Sequence, residues 1–185
     1  MEDIQEKKYN AGRIRSMNKI VDALLDLMCE QPYTSINVTE ICNRAHVARK
    51  TFYRSFDSKD AVIRYRLSNL FGELEDNFDF SEAEARELLS YCFSYLEHNR
   101  KFAAVFADSS LSPVLEKETM DFVRIAYDYS LHNSASFEPA YAEYYYKFTA
   151  VGCISIVQTW VNGGFKMSTP MLVALTRRLL SGVLA

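Results

Sequence analysis

The stretch INVTEICNRAHVARKTFYRSFDSK, residues 36–59, decides the fold of the N-terminal part of this chain. Asn37 can cap a helix with its side chain, and Glu40, three residues later, can complete a capping box. The helix that follows is predicted to bury one face, because its apolar side chains recur at helical spacing. A turn at His46 then leads into a second helix over about residues 48–56. The apolar positions of the first helix are Val38, Ile41 and Ala45.

The second helix is only about two turns long, and its outward side chains are basic or polar. A helix this short is not stable alone, so its neighbours must hold it, with Phe52 buried, while its exposed face binds something anionic. This arrangement is that of a helix-turn-helix, whose second helix enters the DNA major groove. The sequence therefore predicts a DNA-binding unit. The outward side chains are Arg49, Lys50, Thr51, Tyr53 and Arg54.

The same residues resemble the N-terminal DNA-binding segment of the TetR family of transcriptional regulators. The family pattern is a V-x-x-I-x-x-x-A helix followed by V-x-x-x-T-x-Y-x-x-F-x-S-K, and the resemblance covers about residues 13–65. His46 stands where the family usually has Gly, and Ala48 stands where a capping Ser or Thr is usual. The resemblance implies a homodimer that binds a palindromic operator in double-stranded DNA. The matching residues are Tyr33, Val38, Ile41, Ala45, Val47, Thr51, Tyr53, Phe56, Ser58 and Lys59.

Individual DNA contacts follow from residue chemistry and position. Arg49 and Lys50 begin the second helix, and such side chains pair with guanine in the major groove, so both are predicted to contact base edges. The structural alternative for Tyr53 is a core position. Hydroxyl, amide and ammonium groups nearby are predicted to contact phosphate. These are Asn37, Thr39, Thr51, Tyr53 and Lys59.

Composition places the chain among globular proteins. It has 185 residues, of which 49% are hydrophobic, and no apolar run is long enough to span a bilayer. The N-terminus does not resemble a signal peptide, and the four cysteines are widely spaced without a C-x-x-C motif. We therefore expect a cytoplasmic protein with reduced cysteines and no membrane partner. The net charge of −3 is unevenly distributed, since residues 1–70 hold 12 Lys and Arg against 9 Asp and Glu.

Helical periodicity predicts an all-α chain, with an N-terminal three-helix DNA-binding unit and a larger C-terminal helical domain for ligand binding and dimerisation. The predicted domains are residues 1–57 and 58–185. The first helix is expected from about residue 13, with residues 1–12 frayed or forming an arm. A helix from about residue 58 to 78 is expected to link the domains, and Ser81 with Glu84 forms a second capping box.

Two C-terminal helices predict self-association. The helix over about residues 141–162 is apolar on nearly every side, so it must be covered on every side. The last helix, from Thr169, adds an apolar stripe, and too few other helices remain in the chain to cover both. A four-helix bundle formed from two copies would bury them. The predicted dimer interface is Phe148, Gly152, Ile156, Trp160, Leu172, Leu175 and Leu179.

The C-terminal domain is rich in aromatic residues that predict an apolar cavity for a small apolar or aromatic effector. TetR regulators commonly bind a small molecule there, so the resemblance implies a repressor released by its effector. Glu97 is an additional candidate polar contact. The predicted ligand-binding residues are Tyr91, Tyr95, Phe102, Phe106, Met120, Arg124 and Tyr127.

Two other functions remain open at this point. One is a DNA-binding regulator or coactivator whose C-terminal domain binds a protein and no small ligand, which a fully packed domain without a cavity would favour. The other is an enzyme. We find no acid pair, nucleophile with its base, or glycine-rich phosphate loop at convincing spacing, so we expect no catalytic residues.

His98 and His132 each lie near a predicted helix end, which favours a contact with the helix dipole over a metal site. We expect no metal and no cofactor.

Overall fold

A computed structural model of the chain describes residues 2–80, 85–130 and 139–181. These ranges contain α-helices, short 3-10 turns and no β-strand, so the predicted all-α fold is confirmed. The helices are α1 (Glu2–Met28), α2 (Val38–Ala45), α3 (Arg49–Ser55), α4 (Lys59–Asn77), α5 (Ala85–His98), α6 (Arg100–Ala107), α7 (Ser112–Ser130), α8 (Pro139–Asn162) and α9 (Thr169–Ser181). The 3-10 turns are Tyr33–Ser35 and Ser109–Leu111.

The chain divides into two compact units, residues 1–66 and 67–185, and the boundary falls within α4. In the N-terminal unit, α1 packs against α2 and α3, and α2 packs against α3. Phe52 of α3 is fully buried, together with Leu24 of α1 and Ile41 of α2. The core of this unit thus includes side chains from all three helices, which supports α2 and α3, both too short to be stable alone.

An ion pair also joins α2 to the residues just after α1. The Arg44 guanidinium donates to both Glu30 carboxylate oxygens, at 2.8 and 2.7 Å. The hydrogen bonds from Arg44 lower the pKa of Glu30. Because both side chains are well exposed, the main effect of the pair is to fix the orientation of the two groups.

In the C-terminal unit, α8 is the central helix, packing against α6, α7 and α9, while α5 packs against α6 and α9. Pro139 is the first residue of α8 and Thr169 is the first residue of α9, as the sequence predicted. Gly164 follows α8 with φ +74°, a left-handed conformation that suits glycine at a helix end. The predicted capping box at Ser81 and Glu84 and the site of His132 lie outside the described residues.

The first helix begins earlier than predicted. The sequence favoured a frayed segment or arm over residues 1–12, but α1 begins at Glu2. Most of the added residues are good helix formers such as Glu, Gln and Lys, and extending an existing helix costs far less than nucleating one. Within the described residues, no helix combines the length and apolarity that crossing a bilayer would need.

Candidate nucleic-acid interface and ligand cavity

Helix α2 begins with the predicted capping box. The Asn37 Oδ1 atom accepts hydrogen bonds from the backbone N–H groups of Thr39 and Glu40, at 2.9 and 3.1 Å. In return, the Glu40 carboxylate accepts from the Asn37 N–H at 2.8 Å. The cap uses the side-chain carbonyl oxygen of Asn37. The side-chain NH2 group of Asn37 and the exposed Thr39 side chain remain at the surface of the N-terminal unit.

The turn between α2 and α3 departs from ideal helix-turn-helix chemistry at two residues. His46 adopts a left-handed conformation with φ 53°, which costs a non-glycine residue about 1 kcal/mol. Ala48 is the N-cap of α3 and provides no side-chain hydrogen bond, as expected because its methyl side chain has no acceptor atom. A missing cap costs about 1 kcal/mol, so α3 depends on packing for its position.

Packed aromatic rings hold α3 in place. The ring centroids of Tyr53 and Phe52 are 5.4 Å apart, those of Phe52 and Phe56 are 5.9 Å apart, and those of Phe56 and Tyr65 are 5.6 Å apart. This aromatic ladder runs from the exposed side of α3 to α4. Edge-to-face and tilted ring contacts of this kind each add to the free energy of apolar burial.

The outward face of α3 carries the residues that the sequence predicted. Arg49 and Lys50 are exposed, and Thr51 is half-buried. Tyr53 is 52% exposed, so the alternative that it is a core residue is wrong. The Arg49 guanidinium lies 5.9 Å from the Tyr53 ring centroid, one helical turn away. Two cationic side chains and a phenol hydroxyl are thus presented together on a short, fixed helix.

Lys59 has a structural position that the sequence did not predict. Its ammonium donates to the carbonyl oxygens of Tyr33 and Ile36, at 2.7 and 2.8 Å, and lies 4.1 Å from the Tyr33 ring centroid. The Tyr33 hydroxyl donates to Asp60, the next residue of α4. Lys59 therefore fixes the start of α4 against the segment that leads into α2.

We expect Lys59→Met to lower the free energy of unfolding by about 2 kcal/mol, because two charge-assisted hydrogen bonds to carbonyl groups are lost. Thermal unfolding followed by circular dichroism would show this as a lower Tm. Lys50→Met, which removes the same charge from an exposed position, serves as the control and should leave Tm nearly unchanged. Equal Tm values for the two variants would contradict the structural role of Lys59.

The C-terminal unit contains a cavity of about 350 Å³. Apolar side chains dominate its wall, and the polar groups are hydroxyls and thiols. Among the described residues, no Asp, Glu, Lys, Arg or His lines it. The wall consists of Leu70, Phe71, Phe80, Ala85, Leu88, Leu89, Cys92, Phe93, Leu96, Phe106, Thr119, Phe122, Val123, Ala126, Tyr127, Tyr145, Thr149, Cys153, Ile154, Val157 and Leu180.

The predicted ligand-binding residues divide into two groups. Phe106 and Tyr127 line the cavity, whereas the other five are not part of its wall. Helix periodicity identified apolar faces but could not tell which face meets empty space and which meets another helix. The residues outside the wall are Tyr91, Tyr95, Phe102, Met120 and Arg124.

Other contacts account for most of the residues outside the wall. Arg124 pairs with Glu143 at 2.8 Å on the surface, and the Tyr91 hydroxyl donates to Glu73 at 3.3 Å. The rings of Tyr95 and Phe102 form an edge-to-face pair with centroids 6.1 Å apart, and Met120 is half-buried. Glu97, the additional polar candidate, accepts a 2.7 Å hydrogen bond from Thr169.

Thr149 lines the cavity, although the sequence analysis did not single it out. It is 7% exposed, and its hydroxyl has no hydrogen-bond partner. Burial raises the pKa of Tyr145, and the Thr149 hydroxyl partly opposes that increase, so the two groups are neighbours although their geometry forms no hydrogen bond. A buried hydroxyl without a partner costs about 1–3 kcal/mol. No sequence signal distinguishes this threonine from one that bonds to its own helix.

Two cysteines also line the cavity. Burial, together with the nearby Cys153, raises the pKa of the Cys92 thiol to about 12, and burial raises the pKa of Cys153 to about 11. Both residues are only half-buried by surface exposure, because part of their exposed surface faces the cavity. Cys42 is buried with a raised pKa, whereas Cys29 is exposed.

We expect only Cys29 to react rapidly with Ellman's reagent at pH 8. A raised pKa lowers the thiolate fraction, and the thiolate is the reactive form. The other three thiols should react only after unfolding, and Cys29→Ser should remove the rapid phase. Rapid reaction of more than one thiol in the folded protein would contradict the burial of the cavity cysteines.

Helices α8 and α9 expose large apolar side chains, and three of these, Phe148, Leu175 and Leu179, belong to the predicted dimer interface. Phe148 is 52% exposed and Leu179 is 51% exposed, while a methyl group added at Gly152 would meet open space. Trp160 and Leu172 are instead buried in the core of the same chain. Ile156 is half-buried. The exposed apolar side chains are Tyr141, Tyr144 and Phe148 of α8 and Met171, Leu175 and Leu179 of α9.

Comparison with protein-family sequence models gives two matches that together cover most of the chain. The family described as "Bacterial regulatory proteins, tetR family" matches residues 20–65. The family described as "Transcriptional regulator C-terminal region" matches residues 83–182, more than half of the chain. No curated protein sequence matches the chain.

Solved structures with the same fold include several regulators. A TetR transcriptional regulator from Streptococcus agalactiae superposes with a TM-score of 0.65 at 19% identity, covering 95% of this chain and 98% of that one. The regulator FadR from Bacillus subtilis, in complex with stearoyl-CoA, gives 0.60 at 23% identity, covering 88% and 95%. The dihydroxyacetone kinase operon activator DhaS gives 0.61 at 21% identity, covering 90% and 94%.

Proposed function

Because the chain belongs to the TetR family of bacterial transcriptional regulators, we propose that it binds a palindromic DNA operator as a homodimer and represses transcription until a small-molecule effector releases it. The observation that carries this proposal is the exposed face of α3, on which Arg49, Lys50 and Tyr53 are presented by a helix fixed by buried aromatic rings. A short helix of this kind fits the major groove.

The side chains divide into base-contacting and phosphate-contacting groups. Arg49 and Lys50 contact base edges, with guanine as the preferred partner. Asn37, Thr39, Thr51 and Tyr53 contact phosphate and fix the position of the protein on the duplex. Lys59 supports this surface mainly by holding the segment that precedes α2, since two of its N–H donors are already committed to carbonyl groups.

The exposed apolar stripe of α8 and α9 supports the dimer. Tyr141, Tyr144, Phe148 and Gly152 recur at intervals of three and four residues along α8, so they share one face of that helix. Exposed apolar groups concentrated on two adjacent helices are typical of a protein interface. A two-fold dimer carries two copies of α3, which matches the two half-sites of a palindromic operator, about 34 Å apart.

The cavity supports a small effector over the alternative of a protein-binding coactivator, because a domain that binds only a protein needs no internal space. A volume of about 350 Å³ lies within the range of small-molecule sites. Ligand binding at this cavity would release DNA by favouring a conformation with weaker operator affinity, which takes only a few kcal/mol of differential binding.

The test is binding of the purified protein to DNA from its own promoter region across a salt series. Specific binding that weakens steeply as salt increases would support the proposal, because contacts to phosphate release counterions. Competition with unrelated DNA of equal length separates specific from non-specific binding. Absence of specific binding at low salt, with the protein folded, would favour the coactivator alternative.

A further inference from the structure

The exposed face of α8 changes in side-chain size along the helix. Its second half runs from Gly152 to Ser155 and Thr159, which follow at intervals of three and four residues and are both exposed. Its first half carries three aromatic side chains that are each more than half exposed. These are Tyr141 at 59%, Tyr144 at 77% and Phe148 at 52%.

A mainly apolar groove lies over the half of this face that has small side chains. The Trp160 ring forms part of its wall and is fixed by a hydrogen bond from its indole N–H to the Met167 carbonyl oxygen, at 2.7 Å. The Thr159 hydroxyl donates to the Ser155 carbonyl oxygen of its own helix at 2.8 Å, so it needs no partner in the groove. The wall includes Ser155, Ile156, Thr159, Trp160, Leu172 and Leu175.

The two halves of the face complement each other when two copies of α8 pack antiparallel. About a two-fold axis beside Gly152, residues at equal distances before and after this position face each other. Phe148 of one copy then faces positions 155 and 156 of the other, and Tyr144 faces positions 159 and 160, so both rings meet the groove. A parallel pair would place ring against ring and leave both grooves empty.

Gly152 lies at the point where the two helices would cross. A methyl group added there would meet nothing within its own chain, so the packing of the single chain does not require a glycine. Glycine inside a helix is less stable than alanine, and its advantage is that another backbone can approach closely. A second copy of α8 is the element that would make use of this advantage.

The exposed rings are large enough to form much of a stable interface. A Tyr or Phe side chain buries about 150–250 Å² when it is enclosed, so the exposed fractions of the three rings provide roughly 300–450 Å² per chain. A standard interface buries about 800 Å² per partner. Leu175, which is 40% exposed and also lines the groove, extends the area onto α9.

We propose that two copies of the chain pack with their α8 helices antiparallel and crossing at Gly152, so that Phe148 and Tyr144 of each copy fill the groove of the other. This inference rests on the homodimer of the proposed function and adds which surfaces of the two copies meet. The two-fold symmetry repeats the contact, so each interface contains two filled grooves.

Cysteine crosslinking tests the crossing point, in a Cys29→Ser background that lacks the exposed thiol. Helices packed about 8–10 Å apart bring facing Cα atoms to roughly 5 Å, a distance that a disulfide can bridge. We expect Gly152→Cys to form a covalent dimer on mild oxidation. Tyr141→Cys is the control, because its two copies would lie about 33 Å apart along the antiparallel helices and should not crosslink.

A swap of ring and small side chain tests the contact itself. Phe148→Ser empties the groove of the partner, and Ser155→Phe blocks it, so each is expected to raise the dimer Kd by at least about tenfold. The double variant restores one ring to each contact and should return the Kd to within about threefold of wild type, because contacting residues are not additive. Both positions are exposed in the single chain, and circular dichroism should show that each variant is folded.

The outcomes separate this arrangement from the dimer in general. Absence of a crosslink at Gly152→Cys, or a crosslink at Tyr141→Cys, would overturn the antiparallel crossing. Additive losses in the double variant would overturn the contact between positions 148 and 155. Either result with a dimeric wild type leaves the homodimer of the proposed function in place, whereas a wild type that sediments as a monomer would refute both.

Discussion

Replacement of Arg49 by alanine is expected to weaken specific operator binding by about 5- to 150-fold, which corresponds to the 1–3 kcal/mol of a bidentate contact to guanine. The guanidinium is exposed at the first residue of α3 and lies 5.9 Å from the centroid of the Tyr53 ring, so it is available before DNA binds. Fluorescence anisotropy with labelled operator DNA measures the loss, and binding to unrelated DNA should weaken far less.

The control for Arg49→Ala is Arg86→Ala, which removes the same charge from an exposed position of α5 in the C-terminal unit. It should leave operator affinity within about twofold, since none of the proposed DNA contacts lies on α5. Full specific binding by Arg49→Ala, with a normal circular dichroism spectrum, would preserve DNA binding as the function and refute Arg49 as a base contact.

Phe148→Asp is expected to dissociate the proposed dimer. The side chain is half-exposed in the single chain, so the substitution leaves the protomer core intact, but in a two-fold interface it would bury two carboxylates without partners. We expect the dimer Kd to rise by at least about 100-fold, which also removes simultaneous binding to both half-sites. Analytical ultracentrifugation should show a shift from twice the 21.3 kDa chain mass to the chain mass itself.

Ile125→Asp provides the matched control, because Ile125 is an exposed apolar residue of α7 and lies outside the stripe of α8 and α9. It should sediment as the wild type does. If Ile125→Asp dissociates the protein and Phe148→Asp does not, the interface involves α7 and the stripe of α8 and α9 has another role.

The N-terminal unit could be predicted in detail because its determinants are local. The Asn37 and Glu40 capping box, the left-handed turn at His46 and the burial of Phe52 each follow from residues within a few positions of one another. The structural role of Lys59 could not be predicted in this way. Its acceptors, the carbonyls of Tyr33 and Ile36, lie 26 and 23 residues away in sequence.

The candidate cavity was harder to predict for a related reason. Periodicity shows that a helix face is apolar, but a cavity exists only where several such faces fail to meet. Phe106 and Tyr127 were among the residues chosen, whereas Thr149 was not, because an isolated threonine in an apolar helix shows no sequence feature that marks a missing hydrogen-bond partner. For the same reason the sequence assigned Trp160 to the interface, although the structure places its side chain in the core.

The aromatic ladder from Tyr53 through Phe52 and Phe56 to Tyr65 couples α3 to α4 within the N-terminal unit. Each ring contacts the next ring of the ladder, so α3 cannot rotate about its own axis without disturbing buried side chains. Protein interiors have the packing density of organic crystals and leave little room for such a movement. The surface proposed to contact the bases is therefore constant. An effector would change how often an operator is occupied and not which bases are read, so the set of controlled genes would stay the same with or without the effector.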